Sequence, residues 1–240
     1  MTKLPKIAVL TGAGVSKASG IPTYRDGADS LWNNYHPQEL ATPEAFARDP
    51  RLVWEFYDWR RRNMARAKPN AAHITLAEME AALPNFTLVT QNIDGLHREA
   101  GNRNILYLHG DIWLVRCTEC DYRDEDRRVP LPELPPRCPR CGAMLRPDIV
   151  WFGEALDART LNLAEQAFRR ADIALVVGTS AVVYPAAYLP HYTREHFGQI
   201  IEFNMDRTDL SVYAHEVILG PAEMTLPNWW QRFKDEYGIS

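Results

Sequence analysis

Short, almost wholly apolar runs set between long helical stretches constrain this chain more than any other feature. Residues 7–10 (Ile-Ala-Val-Leu), Phe86–Thr90, Ile173–Val177 and residues 199–203 lack the alternation of a strand with one wet face. They read as strands buried on both sides. Helix signals lie between them. Thr42-Pro43 and Asp49-Pro50 each pair an N-cap residue with proline at the first helical position. The second pair opens a long helix expected to stop near Lys68-Pro69-Asn70, and further helices are expected over Ala71–Ala82, Ala158–Arg170 and residues 227–237. Strands that alternate with helices make an α/β chain whose parallel sheet is covered on both faces.

Two segments break the alternation. Residues 34–80 carry helix after helix, and residues 116–147 are rich in Arg, Pro and Cys. Both read as insertions forming a smaller lobe. The expected division is a sheet-bearing unit over 1–33, 81–115 and 148–240, a helical module over 34–80 and a cysteine module over 116–147. With 240 residues, 46% apolar and 24% charged, the chain is long enough for such a two-lobed globular protein. Its 27 basic and 31 acidic side chains leave −4, so no global charge advertises nucleic acid or an anionic membrane. The longest apolar stretches fall far short of the roughly 20 residues that span a bilayer. After Lys6 a run of only four apolar residues precedes Thr11-Gly12, too short for the apolar core of a secretory signal. A cytoplasmic setting follows as the expectation, and disulfides are rare there.

Cys117-Thr-Glu-Cys120 and Cys138-Pro-Arg-Cys141 therefore need another use. Each CxxC can place two thiolates on one tight turn, and two turns complete a tetrahedron around zinc. All four cysteines of the chain are consumed, which leaves no ligand position for water and makes the site structural. The competing use is a redox dithiol, for which one CxxC suffices. Gly12-Ala-Gly14-Val-Ser16 directly follows the first strand, where glycines let backbone approach a pyrophosphate. Lys17 stands where the dinucleotide fingerprint has its third glycine, and the acidic residue expected about 20 positions on is absent. From the residues alone, a nucleotide loop and a plain tight turn both remain open.

Other polar residues gather after expected strands, at the carboxyl edge where parallel sheets bind ligands. Gln91-Asn92-Ile93-Asp94-Gly-Leu-His97 follows Phe86–Thr90; an Asx-type helix cap explains Asn92 or Asp94 but hardly Gln91. His109 ends residues 105–108, placed either as a structural histidine or as a proton-transfer group, to which imidazole is suited near neutral pH. Gly178-Thr179-Ser180 ends Ile173–Val177, and Asn204 ends residues 199–203; ordinary turns would serve there too.

Together these motifs resemble the sirtuin family of NAD-dependent protein deacylases. The matching segments are residues 12–25 (Gly-Ala-Gly-Val-Ser-Lys-Ala-Ser-Gly-Ile-Pro-Thr-Tyr-Arg), Gln91-Asn-Ile-Asp94, Leu108-His-Gly110, the paired CxxC motifs, residues 146–154 (Arg-Pro-Asp-Ile-Val-Trp-Phe-Gly-Glu) and Gly178-Thr-Ser180. They occur in the family's order across nearly the whole chain. Two positions depart from the commonest pattern: Thr23-Tyr24-Arg25 where many members have Asp-Phe-Arg, and Ala181 where leucine is frequent. Neither removes a catalytic group.

The resemblance implies a Rossmann-like large lobe and a small lobe of zinc and helical modules, with NAD and an acyl-lysine peptide meeting in the cleft. It implies that Gly12, Ala13, Gly14 and Ser16 hold the NAD phosphates, and that Tyr24, Arg25, Gln91 and Ile93 line the cofactor site. Asn92 and Asp94 orient the ribose and nicotinamide carboxamide, and Gly178, Thr179, Ser180, Asn204 and Ala222 meet the adenosine half. By the same resemblance the acyl oxygen attacks the ribose carbon as nicotinamide leaves, and His109 is the general base on a ribose hydroxyl. Free lysine and 2′-O-acyl-ADP-ribose result. Val150, Trp151, Phe152 and Gly153 pair with the substrate peptide as an added strand. Tyr57 and Arg60, three apart on one helix face, resemble the pair of the subclass that removes succinyl, malonyl and glutaryl groups. Without the resemblance, Tyr57 reads as core and Arg60 as part of a solvated run. Two rivals stand beside this reading. One is an ADP-ribosyltransferase or NAD hydrolase. The other is a zinc-ribbon nucleic-acid binder using Arg60, Arg61, Arg62, Arg66, Lys68, Arg127 and Arg128, a use the net charge opposes.

Overall fold

The computed structural model describes residues 4–23 and 37–239. Strand β1 (Ile7–Thr11) runs into a 3-10 turn over Ala13–Ser19. Four helices come next: α1 (Pro37–Leu40), α2 (Pro43–Arg48), α3 (Pro50–Met64) and α4 (Ala71–Ala82). Then follow β2 (Phe86–Thr90), α5 (Leu96–Ala100), β3 (Ile105–Tyr107), β4 (Gly110–Cys117), β5 (Arg123–Glu125) and β6 (Leu145–Ile149). The chain closes with α6 (Ala158–Arg170), β7 (Ile173–Val177), α7 (Leu189–Glu195), β8 (Gln199–Asn204), β9 (Glu216–Leu219) and α8 (Ala222–Tyr237). Both expected N-caps form: Thr42 accepts the Ala45 N–H and Asp49 that of Leu52.

The larger sheet is parallel throughout, in the order β3-β2-β1-β7-β8-β9. Winding out from β1 in one direction and then the other makes this the Rossmann-like, doubly wound α/β fold expected. Alternation along the strands explains the unbroken apolar runs. Ile7, Val9, Leu88 and Leu175 pack on α4 and α8 through Leu76, Met79, Trp229 and Phe233. Ala8, Leu10, Val89 and Val176 face the other way, onto Ala164 and Phe168 of α6 and Leu189 of α7.

A second, antiparallel sheet has the order β5-β4-β6. Ile112, Val115, Leu145 and Ile149 of that sheet share a third core with Phe46, Trp54, Phe56 and Tyr57 of α2 and α3. The Trp54 indole pins the two parts together, donating to the Leu145 carbonyl at 2.8 Å. Asp58 of α3 does likewise, accepting from the Leu131 N–H at 2.9 Å and from Arg62.

Several local boundaries differ from the sequence reading. Residues 110–115 and 148–149, expected in the large unit, belong to β4 and β6 of the second sheet. The chain changes sheets at Gly110, where φ is +78° and an added Cβ would lie 2.2 Å from the Asp148 carbonyl. Only glycine fits that crossing, so the turn precedes the first cysteine. Residues 71–80, expected in the helical module, lie in α4, which buries Ala72, Leu76 and Met79 in the main core. Helix α3 ends at Met64, short of Lys68, and α8 starts at Ala222, so Pro227 lies inside it and not at its first turn.

Candidate active site at the sheet switch point

The carboxyl ends of β1 and β7 are neighbours at which the winding reverses, the place where open α/β sheets leave a crevice. The loops after them touch. The Gly14 N–H donates to the Gly178 carbonyl at 2.8 Å, and a Cβ at Gly14 would lie 2.8 Å from Gly178 Cα. At Gly12 it would meet the Thr179 Cβ at 2.6 Å. These glycines are therefore required by loop-against-loop packing, a need separate from any phosphate. Ala13 opens the 3-10 turn, so its N–H has no partner within the turn. Gln91 and Asn204 brace the β7 loop by donating to Thr179, to Oγ1 at 3.0 Å and to the carbonyl at 2.8 Å. Ser180 follows on that loop, and the Gly220 N–H donates to the Asn204 carbonyl, bringing the Ala222 helix start alongside.

Beneath these loops the polar residues of β2's edge form one hydrogen-bonded cluster. Ser16 Oγ donates to Asp94 Oδ2 at 2.7 Å and receives Asn92 Nδ2 at 3.2 Å. Asn92 also donates to the Gly12 carbonyl at 3.0 Å. His73 Nδ1 accepts the Asn70 N–H, so the neutral ring carries its proton on Nε2, 3.4 Å from Ser16 Oγ. His97, its ring centroid 4.8 Å from that of His73, donates from Nε2 to Thr11 Oγ1, whose own hydrogen goes to Thr90. Burial pushes the His73 pKa down to about 4 and that of His97 well below the usual value. Burial raises that of Asp94, opposed by the Leu96 N–H, the Ser16 hydroxyl and the Arg60 charge. The cluster thus combines neutral imidazoles with one buried carboxyl.

His109 lies at the same edge. Its Nδ1 contacts the Gln91 carbonyl at 3.0 Å; a carbonyl can only accept, so Nδ1 carries the hydrogen and Nε2 presents a lone pair. Burial lowers its pKa, partly offset by that hydrogen bond. The ring is therefore a base at neutral pH. The His109 carbonyl accepts the Val150 N–H at 3.0 Å, which joins the base to residues 150–154.

The turn at residues 151–154 is stiff. Arg146 grips Glu154 with two hydrogen bonds, of 2.7 and 2.8 Å, and lies 3.4 Å over the Trp151 ring. The Phe152 N–H donates to the Ala41 carbonyl, and Gly153 takes φ +87°. The expectation of an added strand through these residues needs amending in one respect. The N–H groups of Val150, Trp151 and Phe152 and the Trp151 carbonyl already have partners within the protein, so pairing from those three residues is left to the carbonyls of Val150 and Phe152. Trp151 is 2% exposed while Phe152 is 45% exposed. Ile93 packs toward the third core and accepts the Ile112 N–H, and the Trp113 indole donates to the Asp94 carbonyl at 2.9 Å, so the second sheet holds this segment.

Tyr57 is fully buried and its hydroxyl accepts from Trp151 Nε1 at 3.1 Å. The Arg60 guanidinium stands 5.7 Å from the Phe56 ring and 5.9 Å from the Tyr57 ring. Among the described residues no carboxylate lies within ion-pair distance of it.

The sulfurs of Cys117, Cys120, Cys138 and Cys141 lie within 4.8 Å of one another, with pairs at 3.4 and 3.7 Å. Zinc–sulfur bonds of about 2.3 Å in a tetrahedron put sulfurs roughly 3.8 Å apart, so the four fit one zinc ion and leave no open position. No disulfide joins them.

Tyr24 and Arg25 lie outside the described residues. Several cations of the basic run are paired. Arg61 is buried against Asp126 and Trp113, and Arg62, Lys68, Arg127 and Arg128 each pair with a carboxylate. No helix of the described residues is long and apolar enough to cross a membrane. Sequence reasoning passed over His73, which the spacing Asn70-x-x-His73 marks as a capping box. It also passed over the Arg146–Glu154 grip, for which no local signal exists.

Comparison with known proteins agrees with this geometry. Residues 12–185 match the model of the Sir2 family. A relative from Aquifex aeolicus, named NAD-dependent protein deacylase, is 49% identical over 232 residues, covering 97% of each chain. A crystal structure of a Sir2 homologue with NAD superposes with a TM-score of 0.91 at 45% identity, over 96% of this chain and 90% of the other. A Sir2 protein holding a deacetylated p53 peptide and 3′-O-acetyl ADP-ribose superposes with a TM-score of 0.80 at 33% identity, over 98% and 94%. With its doubly wound sheet, its four-cysteine cluster and this similarity over nearly its whole length, the chain belongs to the Sir2 family.

Proposed function

We propose that this protein is an NAD-dependent protein-lysine deacylase that prefers succinyl- and malonyl-type groups and also removes acetyl. Its products are nicotinamide, 2′-O-acyl-ADP-ribose and free lysine. The observation that carries the activity is the joining, at one sheet edge, of the Ser16–Asn92–Asp94 cluster to a histidine whose Nε2 is available as a base. NAD supplies a glycosidic bond to a cationic leaving group. Gly12, Ala13, Gly14, Ser16, Gln91 and Ile93 would hold it on one side, with Tyr24 and Arg25; Gly178, Thr179, Ser180, Asn204 and Ala222 would meet its adenosine half. Asn92 and Asp94 orient the ribose and carboxamide, and His109 takes the proton of a ribose hydroxyl. The carbonyls of Val150 and Phe152 and the N–H of Gly153 would pair with the peptide, the Trp151 carbonyl being taken by the Glu154 N–H.

The acyl preference rests on Arg60. A cation beside two aromatic rings, with no ion-pair partner among the described residues, suits a carboxylate, which guanidinium binds in planar fashion. The gathering of all four cysteines for one metal ion, a use of thiols suited to a compartment where disulfides are rare, supports a cytoplasmic setting. The rival that consumes NAD without a lysine substrate makes the opposite forecast in one assay. Nicotinamide release should depend on acylated peptide; equal release without peptide sinks this reading and favours an NAD hydrolase or ADP-ribosyltransferase.

A further inference from the structure

Three consecutive residues of β4 grip the segment that carries Asp94. The Ile112 N–H donates to the Ile93 carbonyl at 2.9 Å, and the Trp113 indole Nε1–H to the Asp94 carbonyl at 2.9 Å. The Asp111 carboxylate accepts from Arg98 at 3.0 Å. Gly95, at φ +80°, lies against the indole edge: a Cβ there would stand 3.0 Å from Trp113 Cδ1 and 3.2 Å from Nε1. Trp113 is itself framed. It is 4% exposed; its N–H donates to Asp111 Oδ1 at 2.9 Å, and its carbonyl accepts the Asp126 N–H at 2.8 Å. The guanidinium groups of Arg61 and Arg127 stand 5.4 and 5.3 Å from the centre of its ring, close enough for the π face to attract both cations.

The Asp94 carboxyl also has the Leu96 N–H and the Ser16 hydroxyl. The first moves with the turn. Ser16 anchors Asp94 to the large lobe, and the Trp113 indole anchors it to the second sheet. We propose that Trp113 is a positioning residue for nicotinamide handling: by holding the Asp94 carbonyl, its indole N–H sets where the Asp94 carboxyl meets the nicotinamide carboxamide. The inference rests on the deacylase reading above, in which Asp94 orients that carboxamide. There the acyl oxygen bonds to the ribose carbon as the carbon–nitrogen bond breaks, its electron pair leaving on neutral nicotinamide. Added nicotinamide can return along the same path and re-form NAD. Without the indole N–H the turn at Asp94 loses one anchor, while residues 150–152 keep theirs on His109, Glu154 and Ala41. The effect therefore falls on the steps that engage nicotinamide and spares peptide binding.

The test compares the wild type with Trp113→Phe and with benzothienyl-alanine at position 113, which keeps the ring shape and lacks only the N–H. Acetyl- and succinyl-lysine peptides of one sequence serve as substrates. Three quantities are read: inhibition by added nicotinamide, exchange of labelled nicotinamide into NAD in the presence of peptide, and KM for the peptide. Both variants should weaken the inhibition and slow the exchange by about 5-fold, the size of one neutral hydrogen bond, on either peptide and with its KM within about 2-fold of wild type. If Trp113→Phe fails to fold, the benzothienyl protein carries the test. Nicotinamide inhibition and exchange that stay at wild-type values once the N–H is gone overturn the role. So does an equal loss in peptide KM, which would make Trp113 a structural residue. A wild type that exchanges no nicotinamide with either peptide present removes the deacylase reading and this inference with it. A wild type that exchanges it, beside variants that do so equally well, removes this inference alone.

Discussion

Replacing His73 by glutamine should flatten the acid dependence of stability without weakening the fold at neutral pH. His73 is fully buried, and burial holds its pKa at about 4 against an ordinary 6.5. The unfolded chain takes up a proton near pH 6.5 that the folded ring refuses until about pH 4. Stability from this group is therefore complete above roughly pH 6.5 and is lost as pH falls toward 4. Between about pH 7.5 and pH 5 a gap of that size is worth about 2 kcal/mol. His97, also pushed down by burial, acts in the same direction, whereas Asp94, pushed up by burial, acts against it. The informative quantity is thus the difference between wild type and variant. Glutamine at the third helical position can close the capping box with Asn70 and donate to Ser16, keeping both partners of the imidazole. Chemical denaturation across that pH range should show near-equal stability at about pH 7.5. At about pH 5 the variant should gain about 2 kcal/mol relative to wild type, or roughly 4–8 °C in Tm for a chain of this size. Parallel stability curves for the two proteins would refute the assignment of a neutral buried His73.

Cys138→Ser should release one zinc ion per chain and cost several kcal/mol of folding free energy, with loss of activity although no cysteine faces the cleft; an unchanged zinc content and melting curve would contradict the structural site. His109→Ala should slow deacylation by roughly 10²- to 10⁴-fold with the melting curve intact, and His97→Ala should be milder. In the wild type the acidic limb of the pH–rate profile should fall below about pH 6.5, because burial lowers the His109 pKa; near-normal turnover of His109→Ala removes its role as base. Arg60→Met should lower the succinyl-over-acetyl ratio of kcat/KM by roughly 30-fold to several thousand-fold, the cost of breaking a desolvated charge pair of about 2–5 kcal/mol, and equal losses on both peptides would make Arg60 a structural residue.

Much of the architecture was readable because its causes are local. Strands buried on both faces, such as Ile173–Val177, must be apolar at every position, and N-caps such as Thr42 and Asp49 announce themselves by side chain and following proline. The cysteine spacing likewise carried the metal site, since each turn needs only four residues. What stayed hidden depends on partners distant in sequence. Gly110 looks like any turn glycine until the Asp148 carbonyl is beside it. Asp94 is tied to Ser16 across 78 positions and Trp151 to Tyr57 across 94, and neither distance has a sequence period. Pro227 misled for a different reason: a proline normally marks a first turn, and here the helix begins at Ala222 and contains it. The Gly12–Gly14 loop was suspected for its reach toward a phosphate, while the structure adds a second demand, contact with Gly178, which a one-dimensional pattern does not record.

The central claim is that NAD is consumed in order to take an acyl group off lysine. It is tested most directly by mass spectrometry of the nucleotide formed from NAD and a panel of acetyl-, malonyl-, succinyl- and glutaryl-lysine peptides. The account predicts a nucleotide heavier than ADP-ribose by the acyl group supplied, in amounts equal to the free lysine peptide, and most abundant with the acidic acyl groups. Plain ADP-ribose formed equally with and without peptide, or ADP-ribose attached to the protein while the acyl-lysine remains intact, would contradict it.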